Sequence, residues 1–301
     1  MAEARPDASP AGAGTLFAGT LFIVSTPIGN MGDFSFRAVE TLASVNAVLA
    51  EDTRHSRHLL DRYEIATPLV SYHEHNEARM TPQIVARLRA GESFALITDA
   101  GTPLLSDPGA RLVRAATESG LTVTPIPGAS ALLAALVASG IAADRFTFFG
   151  FLTRSGAERR ETLGEITRLG HTAVLYESPN RLGDTLAELE RLGNGERPAA
   201  VAREMTKQFE EVRRGTVAQL RAYYQETTPR GEIVLVLGGA PAVEASETVV
   251  RERVYSLRAS GMSARDAAAA TAAELGVSKK VAYRLAREFT AGAEHEEGAG
   301  E

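Results

Sequence analysis

The chain has no cysteine among its 301 residues. Structural disulfides, thiolate nucleophiles and Cys-rich zinc sites are therefore excluded, which fits a reducing cytoplasmic compartment. Long hydrophobic runs are also missing. The most apolar stretch, residues 129–143, is interrupted by Ser and Gly and falls short of the roughly 20 residues a membrane span requires. A buried helix is expected there, and no membrane association. Residues 1–18 are rich in Ala, Gly and Pro and lack the basic and apolar regions of a signal peptide, so they read as a disordered tail. An excess of positive charge is absent too. The formal net charge is −6, which does not by itself suggest a nucleic-acid binder. Residues 250–290 depart from that balance, with 8 Lys/Arg against 4 Asp/Glu, and an acidic tail follows at 291–301. Finally, the chain lacks both G-x-G-x-x-G after its first strand and G-x-x-x-x-G-K-[ST], so the ordinary dinucleotide and P-loop readings lose their main support.

What is present is a regular alternation of strands and helices. Apolar runs at 20–25, 45–50, 93–98 and 121–126 read as buried strands, with helices between them, one capped by Thr53 and one starting at Thr81-Pro82. The pattern restarts after Gly140. Strands are expected at 146–151, 172–176 and 198–205, with a helix over 181–192. The segments 211–217 and 232–239 are candidates to pair with each other. From about residue 246 only helices are expected, at 249–258, 264–275 and 278–289, with Ser residues at the breaks as N-caps. The organisation predicted is an N-terminal α/β domain (19–143), a C-terminal α/β domain (144–241) and a helical extension (246–290) resembling a helix-turn-helix. Lys279, Lys280, Arg284 and Arg287 on its last helix suit either nucleic acid or a solvated face.

Chemistry concentrates at the strand ends. Asp99, Ala100, Gly101 and Thr102 open a Gly/Pro-rich turn after the strand SFALIT, and open α/β sheets bind ligands at such carboxyl ends. Pro127-Gly128-Ala129-Ser130 ends another strand and starts a helix, leaving free N–H groups at the same edge. Charged clusters close other strands: Glu51-Asp52-Thr53-Arg54-His55, Tyr72-His73-Glu74-His75-Asn76, Tyr176-Glu177 with Arg181, and Arg203-Glu204-Met205 with Lys207. His73 and His75 share a strand face, but no H-E-x-x-H or carboxylate-rich loop accompanies them, so no metal is expected.

Eight segments follow one another in order: TPIGNMGD (26–33), AEDTRHSRHLL (50–60), SYHEHNE (71–77), ITDAGTPLLSDPG (97–109), PIPGAS (125–130), YESPNRL (176–182), REMTKQFEEVRRG (203–215) and PRGEIVLVLGG (229–239). Together they resemble the ribosomal small-subunit RNA cytidine-2′-O-methyltransferases of the tetrapyrrole methylase superfamily, over about residues 19–290. The resemblance implies two α/β domains with S-adenosylmethionine in the cleft between them, a 16S rRNA or small-subunit acceptor, and a homodimer. It places Pro27, Asp99, Ala100, Gly101, Thr102, Leu105, Ser130, Ala131, Tyr176, Glu177 and Met205 around the cofactor. Two positions depart from the pattern. Asn180 stands where His is expected, so no titrating base is available there, and Arg230 stands where Lys is common.

Methyl transfer to a ribose hydroxyl requires an in-line oxygen and a group that takes or shares its proton. The acid/base candidates are Asp52, Glu51, Glu204, Glu177 and Lys207, with the Asp52 and Lys207 neighbourhoods favoured. Arg54, Arg57, Arg181 and Arg203 suit phosphate, while His73, Tyr72 and Asn76 suit the RNA base. Two alternatives stay open. One is a methyltransferase of the same fold acting on a tetrapyrrole or other small acceptor, and the other is a helix-turn-helix regulator with a ligand-sensing body.

Overall fold

The computed structural model describes residues 18–241 and 246–296. Residues 18–239 form one compact unit that contains two five-stranded sheets, and a second, helical unit begins at residue 240. The first sheet is built from β1 (Thr20–Val24), β2 (Ala47–Ala50), β3 (Leu69–Ser71), β4 (Phe94–Leu96) and β5 (Thr122–Ile126) in the order β3-β2-β4-β1-β5. Every pairing in it is parallel. Helices α1 (Phe36–Ser44), α2 (Thr53–Arg62), α3 (Glu77–Arg89), α4 (Ala110–Glu118) and α5 (Ala131–Ser139) connect or follow these strands.

The first sheet is covered on both faces, which is why its strands read as unbroken apolar runs. Phe22, Val24, Val48, Ala50, Ala95 and Ile97 point to one side, against Ala38, Leu42, Leu59 and Leu60 of α1 and α2. Leu21, Ile23, Leu49, Phe94 and Leu96 alternate to the other, against Ile84, Leu88, Leu112 and Ala116 of α3 and α4.

The second sheet comprises β6 (Phe146–Phe151), β7 (Thr172–Glu177), β8 (Pro198–Arg203), β9 (Glu211–Thr216) and β10 (Ile233–Leu237), ordered β6-β7-β10-β8-β9. β6 and β7 run parallel and the remaining pairs are antiparallel. One face carries α6 (Ala157–Arg168), α7 (Leu182–Leu189) and α8 (Val217–Glu226) over Ala173, Leu175, Val201 and Leu235. The other face, Val174, Ala200, Ala202, Val234 and Val236, is covered by Leu132, Ala135 and Leu136 of α5. Arg214 on β9 adds a hydrogen bond to the Ser139 carbonyl at 3.0 Å.

Several local expectations are corrected. Asp52, not Thr53, caps α2, accepting from the Arg54 and His55 amides. The third helix starts at Glu77 and carries Pro82 inside it, so Thr81-Pro82 is not its start. β9 and β10 do not pair with each other, because β8 lies between them. The helix expected over 181–192 ends at Leu189 and gives way to a wider turn in which Gly193 takes φ 86°. The helix inside 129–143 is buried on one side only: Leu136 is 3% exposed and Val137 75%.

The helical unit holds α9 (Glu247–Ala259), α10 (Ala264–Leu275) and α11 (Lys279–Glu296) around Val250, Val254, Ala268, Ala282 and Leu285. Ser246 and Ser263 cap α9 and α10, and Gly276 turns the chain at φ 66°.

The two faces of α5 predict opposite outcomes. Leu136→Ala removes a side chain wedged into the second sheet and is expected to cost about 2–4 kcal/mol, whereas Val137→Ala stays within about 0.5 kcal/mol. Urea denaturation of both variants checks this, and equal losses would contradict the packing described.

Candidate active site

Three loops leave the carboxyl ends of the first sheet and are stitched together by their own backbone. After β1, Thr26 pairs with Gly101 in a two-way bridge, with N···O distances of 2.8 and 3.2 Å. The Ser25 hydroxyl meets that of Thr102 at 3.1 Å, and Thr102 donates to the Ala129 carbonyl at 3.2 Å. A side chain at Gly128 would press within 2.9 Å of Ser25 Cβ, which explains glycine where this third loop crosses the first. Ser130 then caps α5, accepting from the Leu133 amide at 3.4 Å. Beyond Gly101, Leu104 (φ 76°) and Ser106 (φ 73°) adopt left-handed backbone that non-glycine residues rarely hold.

The second sheet contributes two loops to the facing side. Glu177, 2% exposed at the end of β7, accepts from its neighbour Ser178 N at 2.8 Å and from Thr185 Oγ1 at 2.7 Å, with the Arg181 guanidinium 3.4 Å away. After β8 the backbone again turns left-handed, at Glu204 (φ 51°) and Thr206 (φ 68°). Lys207 Nζ is held between Glu204 (2.9 Å) and Glu232 (3.0 Å). Glu204 also accepts from the Glu232 amide at 3.0 Å, and a Cβ on Gly231 would strike it at 2.3 Å. The loops of the two sheets touch where the Asn30 amide donates to Thr206 Oγ1 at 3.1 Å.

Between these loops lie two adjoining cavities. The larger, of about 460 Å³, is lined from the first sheet by Glu51, Asp99, Ala100, Gly101, Thr102, Leu105 and Ala131, and from the second by Tyr176, Glu177, Met205 and Glu232. The smaller, of about 210 Å³, is lined by Pro27, Met31, His55, Ser56, Leu59 and Lys207. Ile28, Asp99, Ala100 and Glu232 border both.

The charges are unevenly placed. Burial pushes the Asp107 carboxyl up to about 6, partly offset by the Thr98 hydroxyl and reinforced by Glu51 and Asp99. Burial likewise raises Glu51, with Asp99 adding to it and His73 opposing. Burial would lower Lys207, but its hydrogen bonds to Glu204 and Glu232 outweigh that and keep the ammonium above its ordinary range. Such a lysine stays protonated and is suited to hold charge, not to remove a proton.

Of the residues singled out in the sequence, Asp99, Ala100, Gly101, Thr102, Leu105, Ala131, Tyr176, Glu177, Met205 and Glu51 come together around the larger cavity. Pro27 and Lys207 face the smaller one. The others have different tasks. Asp52 caps α2 and pairs at 3.2 Å with Arg54, whose side chain is 91% exposed; the Arg54 hydrogen bond lowers the Asp52 carboxyl, and neither residue borders a cavity. Asn76 closes its own loop, accepting from His73 N and donating to the Ser71 carbonyl, both at 3.0 Å. Arg181 is spent on Glu177 and the Leu152 carbonyl, and Arg203 pairs with Glu211 at 3.3 Å. Glu204 holds Lys207, Arg57 lies half-buried on α2, and His73 packs edge-on to His75 at 5.9 Å. Tyr72 is buried against Thr81, not presented to an RNA base.

Sequence reasoning missed Asp107, Ser106, Phe151 and Glu232 as cavity residues. Asp107 sat inside a quoted motif, but only the folded loop reveals its burial. In the helical unit, Arg251, Arg253 and Arg284 are tied to Glu247, Glu274 and Glu288, so part of the basic face is neutralised.

Comparison with known proteins bears on the family and the fold. The family model described as Tetrapyrrole (Corrin/Porphyrin) Methylases matches residues 20–221. Proteins named "Ribosomal RNA small subunit methyltransferase I" are similar over most of the chain. The Synechocystis sp. protein is 45% identical, covering 91% of this chain and 99% of its own, and that of Bacillus subtilis 41% identical, covering 88% and 93%. Among solved structures, a uroporphyrin-III-C-methyltransferase from Thermus thermophilus aligns with a TM-score of 0.53 at 22% identity, covering 73% of this chain and 94% of its own. A cobalt precorrin-4 methyltransferase aligns at 0.56 and 18%, covering 77% and 98%.

The half-buried carboxyl of Asp107 makes a signed prediction. Its folded value, about 6, lies above the ordinary 3.8, so the folded protein binds the proton more tightly than the unfolded chain does. This group's contribution to stability is therefore greatest below 3.8 and is lost as pH rises through about 6. Asp107→Asn is expected to raise the thermal midpoint at pH 7 and to flatten its decline across that window. A steeper decline in the variant would contradict the assignment.

Proposed function

The chain belongs to the tetrapyrrole methylase family, among its ribosomal RNA small subunit methyltransferase I members, and from that membership we propose that it transfers the methyl group of S-adenosylmethionine to the ribose 2′-hydroxyl of a cytidine in 16S rRNA. The observation that carries the reading is the pair of adjoining cavities sharing Asp99 and Glu232. One is large enough for the donor, and the other opens beside it for the acceptor.

The residues of the larger cavity fit S-adenosylmethionine. Ala100, Gly101 and Ala131 leave the backbone approachable; at Gly101 a Cβ would already come within 3.2 Å of Ile28. Leu105, Met205, Ile233 and Val234 give an apolar wall, and Glu51, Asp99 and Asp107 supply carboxylates for the positively charged groups. Bound there, S-adenosylmethionine supplies an electrophilic methyl on a sulfonium. The protein's own work is to hold the acceptor oxygen in line and to receive its proton.

Asp99 is the proton acceptor in this reading. It is a carboxylate at the border of both cavities, held against the Asp52 amide at 3.3 Å. Lys207, fixed by Glu204 and Glu232, presents a positive charge to the phosphate or the developing alkoxide. Asp52 positions the start of α2, so its part in catalysis is indirect. Arg54 and Arg57 on α2 supply further positive charge for the RNA backbone, and the helical unit, taken by itself, carries Lys279, Lys280 and Arg287 on its last helix. Ribosomal RNA as acceptor makes the cytoplasm the working compartment, and no helix among the described residues is long and apolar enough to cross a membrane. A homodimer remains part of the proposal.

A tetrapyrrole acceptor is less well served, because the 210 Å³ cavity is below the ~300–1,000 Å³ range that holds drug-sized ligands. A DNA-binding regulator would have no use for a charged second cavity beside the first.

Incubating the full-length protein with labelled S-adenosylmethionine and small ribosomal subunits is expected to place label on one 2′-O-methylcytidine. Absence of label from the RNA would contradict the reading. Asp99→Asn is expected to reduce kcat by about 10²–10⁴-fold with little change in KM for the subunit, and near-normal turnover would remove Asp99 from the chemistry.

A further inference from the structure

The ends of β6 and β7 meet at the larger cavity, and the ladder between them is interrupted there. Phe146 to Phe148 pair in register with Thr172 to Val174, but the next pair is Phe151 with Tyr176, so β6 carries one residue more than β7. Gly150, inside this bulge, takes φ 62°. The Phe151 and Tyr176 rings stand 5.4 Å apart, and both line the cavity. A bulge leaves that spacing without the regular ladder that fixes it elsewhere.

A buried polar network holds the two ends instead. Glu177 follows Tyr176, yet its side chain is 1% exposed and both carboxylate oxygens are engaged inside the protein. Oε1 accepts from the Ser178 amide at 2.8 Å, and Oε2 from the Thr185 hydroxyl at 2.7 Å. Thr185, fully buried on α7, accepts in turn from Arg159 Nη2 at 3.0 Å. A guanidinium has no acceptor, so the threonine proton goes to Glu177 and the chain of hydrogen bonds has one direction. Arg159, buried on α6, also donates to the Thr153 carbonyl at 3.1 Å and to Glu188 at 2.8 Å. Arg181 holds the Leu152 carbonyl at 2.7 Å and stands 3.4 Å from Glu177. Both guanidiniums thus tie the residues just after β6 to the carboxylate that ends β7.

Arg159, Thr185 and Glu188 border neither cavity. Stability alone does not account for the network, because apolar side chains of similar volume serve a core as well as a buried ion pair or better. What directional hydrogen bonds add is a fixed geometry. Resting on the reading that S-adenosylmethionine occupies the larger cavity, we propose that Arg159 and Thr185 are positioning residues for the methyl donor. Through Glu177 and the Thr153 carbonyl they fix the spacing of the β6 and β7 ends. That spacing sets the Phe151–Tyr176 wall against which the donor lies. Neither residue touches the donor, and Glu177, closed off from solvent, acts in the same indirect way. The smaller cavity takes no residue from the ends of β6 or β7, so the network governs the donor and leaves the acceptor alone.

The full-length protein is titrated with S-adenosylhomocysteine by calorimetry and assayed on small ribosomal subunits, well below each variant's thermal midpoint. Thr185→Val, close in shape but without the hydroxyl, is expected to weaken S-adenosylhomocysteine binding and raise KM for S-adenosylmethionine about tenfold. KM for the subunit, and kcat at saturating donor, stay within about twofold of wild type. Thr185→Ser, which keeps the hydroxyl, restores donor affinity to within about twofold of wild type. Arg159→Lys replaces a fork that reaches Thr153, Thr185 and Glu188 at once with a point charge, and is expected to match Thr185→Val. Combining the two costs little more than either alone, since both break one path. Wild-type donor affinity in Thr185→Val or Arg159→Lys overturns the proposal, and so does a Thr185→Ser protein as weak as Thr185→Val. A fall in kcat with both KM values unchanged, as from a smaller folded fraction, overturns it too. Should Thr185→Val fail to fold, Arg159→Lys is read in its place. Wild-type protein that does not bind S-adenosylhomocysteine would instead remove the donor reading on which the proposal rests.

Discussion

Helix α5 leaves the first sheet, yet it buries Leu132, Ala135 and Leu136 against Val174, Ala200 and Val234 of the second. The cleft depends on that crossing. Without it, two sheets with separate outer helices would share little apolar surface, and inter-domain motion would be the default expectation. With it, the first residue of α5, Ala131, is fixed at the cavity edge while the body of the helix is locked into the opposite core. The apolar stretch that looks like a membrane span too short to cross is the element that joins the two halves.

On this frame the loops carry strain and charge in the same places. Leu104, Ser106, Glu204 and Thr206 hold left-handed backbone, and all four lie in the loops that close on the cavities. Conformations of this kind cost of order 1–3 kcal/mol each and persist only where the surroundings dictate them. Here the dictating contacts are visible: the Thr26–Gly101 bridge on one side, and the Glu204–Lys207–Glu232 ion pairs on the other. Carboxylates gather on the wall of the larger cavity, and the protonated lysine faces the smaller one. That separation suits a reaction in which a positively charged donor meets a phosphate-bearing acceptor.

Much of this was legible in the sequence because it was written in local terms. Apolar runs of four to six residues, ended by Gly and Pro, marked the strands and the loops that leave them, and Asp99 to Leu105 fell where the cavity lies. Ser130, Ser263 and Ser278 announced their helices. Strand order was not legible, because the insertion of β10 between β7 and β8 is a matter of long-range pairing that periodicity does not encode. Nor was the fate of individual charges. Asp52 looked like a base at a strand end, and proves to be a helix cap because the chain turns into α2 one residue earlier than Thr53 suggested. Asp107 lies in a motif full of turn residues, and its partial burial at the larger cavity shows only in the folded loop.

The central claim is that donor and acceptor occupy separate, adjoining cavities that meet at Asp99. A crystal structure of the protein with S-adenosylhomocysteine and a cytidine-containing oligoribonucleotide tests it directly. The account predicts S-adenosylhomocysteine in the larger cavity and one unstacked cytidine in the smaller, with sulfur and ribose 2′-oxygen facing each other across the shared border. A cytidine bound in the larger cavity, or S-adenosylhomocysteine outside it, would contradict the account.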